Sequence, residues 1–485
     1  MPEKISKNTI KNKIVFSLIW RLAERFGAQG VSFIVSIILA RILEPDTYGT
    51  IALVTILINI LQVFVDSGLG NSLIQKKDAD MKDYSTVFLF NVFMSMLLYI
   101  FMWFISPVIS RFYNIEQLTL VVRVLSITII ISGIRNVQYA YISRNLLFKN
   151  LFFSTVAGTL ISAAVGITMA LRGSGIWALV AQQLTNAFIN TLILCFTVKW
   201  HPRLSFSIES FKKLYRFGFN ILTSRLVDVV YNNLRHMLVG KIYTLTDLAY
   251  YNRGQQIPNM VMSNVNSSLD SVLFPVMSKS QNDIERIKRM TKRATQVGSF
   301  LLWPVMAGII AIAESLIRIL LTEKWMISLP YLRLFCIYYA MYPLHTPNLN
   351  AIMAVGRSDY FIKMEYIKKT IGFIILILTI KRGVLPLAIG VCIEGIVTTY
   401  VNAFPNKRLI GYSYLEQLQD ILPNLILSLV MGIMVYLISY LGLNDWATLV
   451  IQVPVGIIIY IAGAKQMRNK SLKYVVSIIK EIVKK

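Results

Sequence analysis

The sequence predicts an all-α, polytopic membrane protein with about fourteen transmembrane helices. Three observations carry that reading. The 485 residues are 55% hydrophobic and 15% charged, with a mean hydropathy of +0.60, which is far from the composition of a water-soluble enzyme. Apolar segments of spanning length recur along the whole chain. Lys and Arg outnumber Asp and Glu 49 to 24, yet they fall in short clusters between apolar segments rather than on one basic face. The net charge of +25 therefore reads as membrane topology, and nucleic acid is not an expected partner.

In order, the predicted spans lie at about 14–40, 49–74, 84–110, 118–142, 151–171, 176–198, 214–240, 248–276, 294–320, 331–355, 360–380, 384–404, 418–441 and 446–464. The first carries charge where a bilayer tolerates it least. At 1.5 Å of rise per residue, Arg21 and Arg25 sit roughly 10 and 16 Å along a helix that starts at Ile14, inside a hydrocarbon core about 30 Å thick. Arg21, Arg25, Gln29, Ser32 and Ser36 recur at spacings of three or four and form one polar stripe, which predicts a hydrophilic cavity with positive charge at one end. Glu24 stands three residues after Arg21 and is placed to neutralise it within the helix, so pairing and ligand binding both stand for Arg21. Arg25 is deeper and has no such partner, which favours a functional role there.

The spans at 49–74, 214–240 and 248–276 repeat the pattern. Asn59, Gln62 and Asp66 share one face, as do Arg225, Asp228, Asn232 and Arg235, and Asn259, Asn266 and Asp270 follow Arg253. Shifting the chain by 200 residues pairs Arg25 with Arg225, Asn59 with Asn259 and Leu69 with Leu269. Six spans separate the copies, so the halves share one orientation and predict two pseudo-symmetric six-helix lobes around a central cavity. Arg225 and Asp228 suit an ion pair between helices; Arg25 and Arg253, which have no such pairing in the sequence, are the better ligand candidates. Pro258, Pro275, Pro304, Pro343, Pro347 and Pro386 mark helices able to kink.

The predicted organisation is a cytoplasmic N-terminus (1–13), an N-terminal lobe of six spans (14–200), a cytoplasmic linker (201–213), a second lobe (214–410), two extra spans (411–466) and a basic amphipathic tail (467–485). Lys279, Arg286, Lys288, Arg289, Lys292 and Arg293 make the richest inner loop. Outer connections hold single basic residues, apart from the pair Lys381 and Arg382. That asymmetry places both termini in the cytoplasm. The first helix is long, charged and without a small-residue cleavage site, so it is expected to be retained. Cys195, Cys336 and Cys392, like His201, His236 and His345, have no metal-ligand spacing, and no metal site or cofactor is predicted.

Arginine presents a planar, permanently charged fork that matches phosphate oxygens. A cavity with excess arginine suits an anion, such as a lipid carrier's phosphates with sugars in the wet cavity and the acyl chain left in the bilayer. The run SLIWRLAERFGAQG…LARILEPDTYG…DSGLGNSLIQ, with YISRNLLFKN, GSGIWALV, DLAYYNRGQQIP and EKWMISLPYLRLF further along, resembles polysaccharide flippases of the Wzx and WzxC type over nearly the whole chain. These belong to the multidrug, oligosaccharidyl-lipid and polysaccharide exporter superfamily. The resemblance implies two lobes plus two C-terminal helices in a bacterial cytoplasmic membrane. It also implies alternating access that moves an undecaprenyl-pyrophosphate-linked oligosaccharide, a repeat unit of O-antigen, capsule or exopolysaccharide, to the outer leaflet. By motif position it assigns pyrophosphate and sugar binding to Arg25 and Arg253 first, then to Arg21, Arg225 and Arg235.

Asp66, Asp228, Asp270 and Glu24 are candidates for coupling to a proton or sodium gradient or to the membrane potential. Membrane lipids, a polysaccharide polymerase and chain-length machinery are the expected partners. Two other readings compete. A cation or drug exporter of the same superfamily favours acidic cavity residues, and a membrane polymerase or ligase calls for a large external loop or an acid–base constellation. No GxxxxGK loop is present, so direct ATP hydrolysis is not expected; the protein is expected to be a transporter rather than an enzyme.

Overall fold

The computed structural model describes residues 7–66, 68–76, 79–200, 202, 203 and 205–483, and every regular element among them is helical. The helices are α1 (Lys7–Ile42), α2 (Pro45–Asp66), α3 (Leu69–Gln75), α4 (Met81–Tyr113), α5 (Leu118–Leu125), α6 (Ile127–Asn145), α7 (Phe148–Leu171), α8 (Ile176–Thr197), α9 (Ile208–Ile242) and α10 (Leu245–Ser278). They continue with α11 (Ile284–Leu321), α12 (Leu329–Ala340), α13 (Tyr342–Ala354), α14 (Ser358–Ile380), α15 (Val384–Ala403), α16 (Asn406–Leu409), α17 (Tyr414–Leu437), α18 (Asp445–Gln466) and α19 (Lys470–Val483). Contacts divide the chain into compact units Met1–Ala249 and Tyr250–Lys485, with α10 crossing the division.

Every predicted span is helical, and nine helices among the described residues are long and apolar enough to cross a membrane. The remaining predicted spans are α1, α9, α10, α14 and the split pair α12–α13. Three of these, α1, α9 and α10, carry polar stripes; the fourth striped helix, α2, is among the nine. Large apolar side chains stand on the outer surface, with Phe104 75% and Phe196 82% exposed. In water that surface would aggregate; in a bilayer it is the lipid contact.

The structure corrects two spans by breaking them. The segment at 49–74 ends its first helix at Asp66, and Gly68 adopts φ +68° before α3 begins. A Cβ there would lie 2.5 Å from the Gly218 carbonyl oxygen on α9, so glycine is required by both conformation and space. Gly68→Ala is expected to destabilise the first unit by more than about 1–2 kcal/mol, the cost of a left-handed Cβ before any clash. The check is the midpoint of thermal unfolding in detergent, and an unchanged midpoint would show that the turn relaxes freely. The segment at 331–355 divides at Met341 ahead of Pro343, whereas that at 118–142 turns at Ser126 with helical backbone angles and stays one span, Leu118–Asn145.

Helices inside a membrane gain little from hydrophobicity when they meet, so small residues let them approach closely. On α6, a Cβ at Gly133 would fall 2.9 Å from the Asn91 carbonyl oxygen of α4. Beside this contact, Leu69, Leu73, Tyr84, Val137 and Trp200 form a buried cluster. At the ends of spans, reciprocal capping boxes satisfy otherwise free amides at Asp80 with Asp83 and at Ser413 with Glu416.

The tail forms α19, as its basic and apolar alternation predicts. Its apolar face is used partly for docking rather than for lipid alone. Leu472 and Val475 pack on a cluster containing Phe300 and Leu427, and Arg293 lies 4.2 Å from the Tyr474 ring centroid.

Candidate cationic cavity

Two adjoining cavities open inside the first unit. One, of about 440 Å³, is lined by Glu24 of α1, Asp66 of α2, Arg135, Asn136 and Tyr139 of α6 and Arg225 of α9, among others. The other, of about 420 Å³, is lined by Ser32 and Ser36 of α1, Asn59 of α2, Thr128 of α6 and Asn186 of α8, among others. Gln62, Ser132 and Arg135 belong to both walls. Helix periodicity explains how the walls are built. On α2, Asn59, Gln62 and Asp66 recur every three or four residues, and on α6 Thr128, Ser132, Arg135 and Tyr139 do the same.

The two stripes face each other and bond. Asn136 donates its Nδ2 to Asp66 Oδ1 at 2.6 Å, and Gln62 Nε2 donates to Ser132 Oγ at 3.3 Å. This two-rung ladder recurs in the second unit. There Asn350 donates to Asp270 at 2.7 Å, and the Thr346 hydroxyl donates to Asn266 Oδ1. From Asp66 to Asp270 and from Gln62 to Asn266 the offset is 204 residues, one helical turn beyond the 200 read from the sequence. A turn of four residues returns to the same helix face, which is why the repeat is visible at either register.

The electrostatics centre on Asp66, where both Arg135 and Arg225 act on the carboxylate. Arg21 donates to Glu24 at 3.0 Å, the pair its spacing predicts, and to the Tyr139 hydroxyl at 2.8 Å. Arg135 and Arg225 thus share the wall of the first cavity with Asp66 and Glu24, and Glu24 is already paired with Arg21 outside that wall, which leaves two guanidinium groups to one carboxylate. In a low-dielectric setting that surplus attracts an anion, and guanidinium geometry favours phosphate or carboxylate oxygens.

The other sequence candidates are placed elsewhere. Arg25 lies on α1, and its side chain is outside the described residues. Arg235 sits on α9 with its guanidinium 5.7 Å from the Tyr231 ring centroid. Arg253 is not the unpaired cation expected from sequence. It is only 7% exposed, donates to Gln256 Oε1 at 2.7 Å and lies 4.9 Å from the Trp325 ring centroid. Asp228 is an exposed residue of α9, and Asp270 is held by Asn350 in the second unit. Glu314 pairs with Arg318 at 3.0 Å, as its spacing of four suggests. Sequence reasoning missed Arg135. Its signal was present, since an arginine inside the apolar run at 118–142 meets the same criterion that selected Arg21.

A family described as polysaccharide biosynthesis protein matches residues 38–330, more than half of the chain. The chain belongs to this family. Among relatives of this polysaccharide biosynthesis protein, the teichuronic acid biosynthesis protein TuaB of Bacillus subtilis is 28% identical over 61% of this chain and 62% of its own. The succinoglycan biosynthesis transport protein ExoT of Rhizobium meliloti is 27% identical over 65% and 64%. The lipopolysaccharide biosynthesis protein WzxC of Escherichia coli is 22% identical over 88% and 89%. The matches to TuaB and ExoT thus span less than two thirds of those proteins. Among solved structures, the lipid II flippase MurJ in an inward closed conformation matches with a TM-score of 0.75 at 16% identity, covering 93% of this chain and 98% of that one. An inward-facing transporter of the multidrug-resistance MATE family in the MOP superfamily matches with 0.63 at 15% identity, covering 79% and 94%. The chain is therefore a multi-pass membrane protein with the fold of that superfamily.

Proposed function

We propose that this protein is a flippase that carries undecaprenyl-pyrophosphate-linked polysaccharide repeat units across the bacterial cytoplasmic membrane by alternating access, with both termini in the cytoplasm. The observation that carries the reading is the first cavity, whose wall sets Arg135 and Arg225 beside a carboxylate, Asp66. A pyrophosphate competes with Asp66 for these guanidinium groups and leaves its oligosaccharide in the wet cavity and its polyprenyl chain in lipid. Arg21, Arg25 and Arg235 then have secondary roles in attracting or positioning the headgroup. The names of WzxC and ExoT, which describe polysaccharide biosynthesis and its transport, agree with such a substrate.

Coupling to a proton or sodium gradient, or to the membrane potential, falls first to Asp66, the carboxylate in direct competition with substrate. Asp270 is its counterpart in the second unit, and Glu24 and Asp228 are further candidates. A polysaccharide polymerase and chain-length proteins are the partners that would take the product. A drug or cation exporter shares the fold, but cations are disfavoured by a guanidinium surplus.

The test is flipping of a fluorescent undecaprenyl-pyrophosphate oligosaccharide in proteoliposomes. Flipping that depends on the protein is expected. Absence of flipping with several glycans, together with uptake of organic cations, would overturn the proposal in favour of a drug exporter.

A further inference from the structure

The second cavity differs chemically from the first. Of the 18 residues in its wall, 13 end in a hydroxyl or amide, four are apolar and one, Arg135, is charged. Several of these groups are spoken for, since Asn186 donates to Ser162 Oγ at 3.3 Å and Gln62 to Ser132. Asn59, Gln182 and Gln183 make no side-chain hydrogen bond to another described residue. Three amides without partners at membrane depth need water or a ligand, because unsatisfied polar groups there are costly.

The helix directions add a polarity to the pair of cavities. With the N-terminus inside, α1, α7 and α9 run outward and α2, α6 and α8 run inward. The second cavity is built from the C-terminal half of α1 and the N-terminal ends of α2, α6 and α8, so it lies toward the outer face. The first uses the opposite ends and lies toward the cytoplasm. Arg135 stands at the junction.

We propose that the outer cavity is a sugar subsite, and that the first sugars attached to the pyrophosphate are uncharged. This rests on the flippase reading. Hydroxyl-rich sugars exchange hydrogen bonds with amides that both donate and accept, which Asn59, Gln182 and Gln183 supply without disturbing the helix packing. A uronic acid in this position would bring a carboxylate into a wall whose one cation, Arg135, already serves the phosphate and lies under the influence of Asp66. The headgroup then enters sugar first, with its pyrophosphate halted at Arg135.

The test is binding of undecaprenyl pyrophosphate carrying no sugar, one hexose or one hexuronic acid to the purified protein and to an Asn59→Ala, Gln183→Ala double variant. The hexose is expected to improve affinity about tenfold over the bare lipid, and the double variant to lose that increment alone, as two neutral hydrogen bonds would imply. The hexuronic acid is expected to give no increment. An equal increment for hexose and hexuronic acid would overturn the uncharged-sugar assignment. A double variant that keeps the hexose increment, or that loses bare-lipid binding as well, would overturn the subsite. Failure of the unaltered protein to bind any of the three lipids would instead count against the flippase reading itself.

Discussion

Replacing Arg135 with alanine is expected to lower the rate of lipid-linked oligosaccharide flipping by roughly 10- to 100-fold. A charge-assisted hydrogen bond contributes about 1.5–3 kcal/mol, and each 1.4 kcal/mol is a factor of about ten. Arg135 is the one residue through which the two cavities share a charge. Its loss also leaves Asp66 facing the pyrophosphate with only Arg225 to offset the repulsion. The measurement is initial flipping rate in proteoliposomes at matched protein incorporation. Arg135→Lys should recover only part of the rate, because an ammonium keeps the charge but not the planar fork. Flipping at the unaltered rate in Arg135→Ala would remove the cavity junction from the transport path.

The second large effect has the opposite sign on binding. Asp66→Asn keeps the size of the side chain and an oxygen able to accept from Asn136, but it removes the negative charge that stands in the same wall as Arg135 and Arg225. The headgroup no longer competes with a resident carboxylate. Affinity for bare undecaprenyl pyrophosphate is therefore expected to rise about tenfold, while turnover falls because release slows. Measuring Kd alongside the flipping rate separates these effects. A variant with weaker binding would show that Asp66 supports the site rather than contesting it. If Asp66 also carries the coupling ion, the residual flipping of Asp66→Asn should no longer respond to an imposed pH or sodium gradient.

Much of the architecture was readable because membrane helices advertise themselves by length and hydropathy. The stripe Asn59, Gln62 and Asp66 was readable for a related reason: polar groups at helical spacing in an apolar run must share an interior face. Other features depended on partners distant in sequence. The break after Asp66 requires Gly68 to meet Gly218, and the burial of Arg253 requires Trp325, which lies 72 positions further along the chain. Neither distance leaves a periodic trace. Arg135 is a different case. It is the one charge on a face whose other members, Thr128, Ser132 and Tyr139, are neutral groups that an apolar run accommodates without drawing notice.

The paired ladders bear on how such a protein is made. In each unit a polar helix finds its hydrogen-bonding counterpart within the same stretch of nascent chain, 70 residues on from Gln62 and Asp66 and 80 residues on from Asn266 and Asp270. As helices insert first and associate afterwards, α2 can therefore shield its carboxylate from lipid once α6 has emerged, before any of the second unit is synthesised. The same holds for α10 when α13 follows. Each half can thus leave the ribosome and settle in the bilayer as a self-contained intermediate, so the wet interior that transport demands does not expose the growing chain to a buried charge awaiting a distant partner.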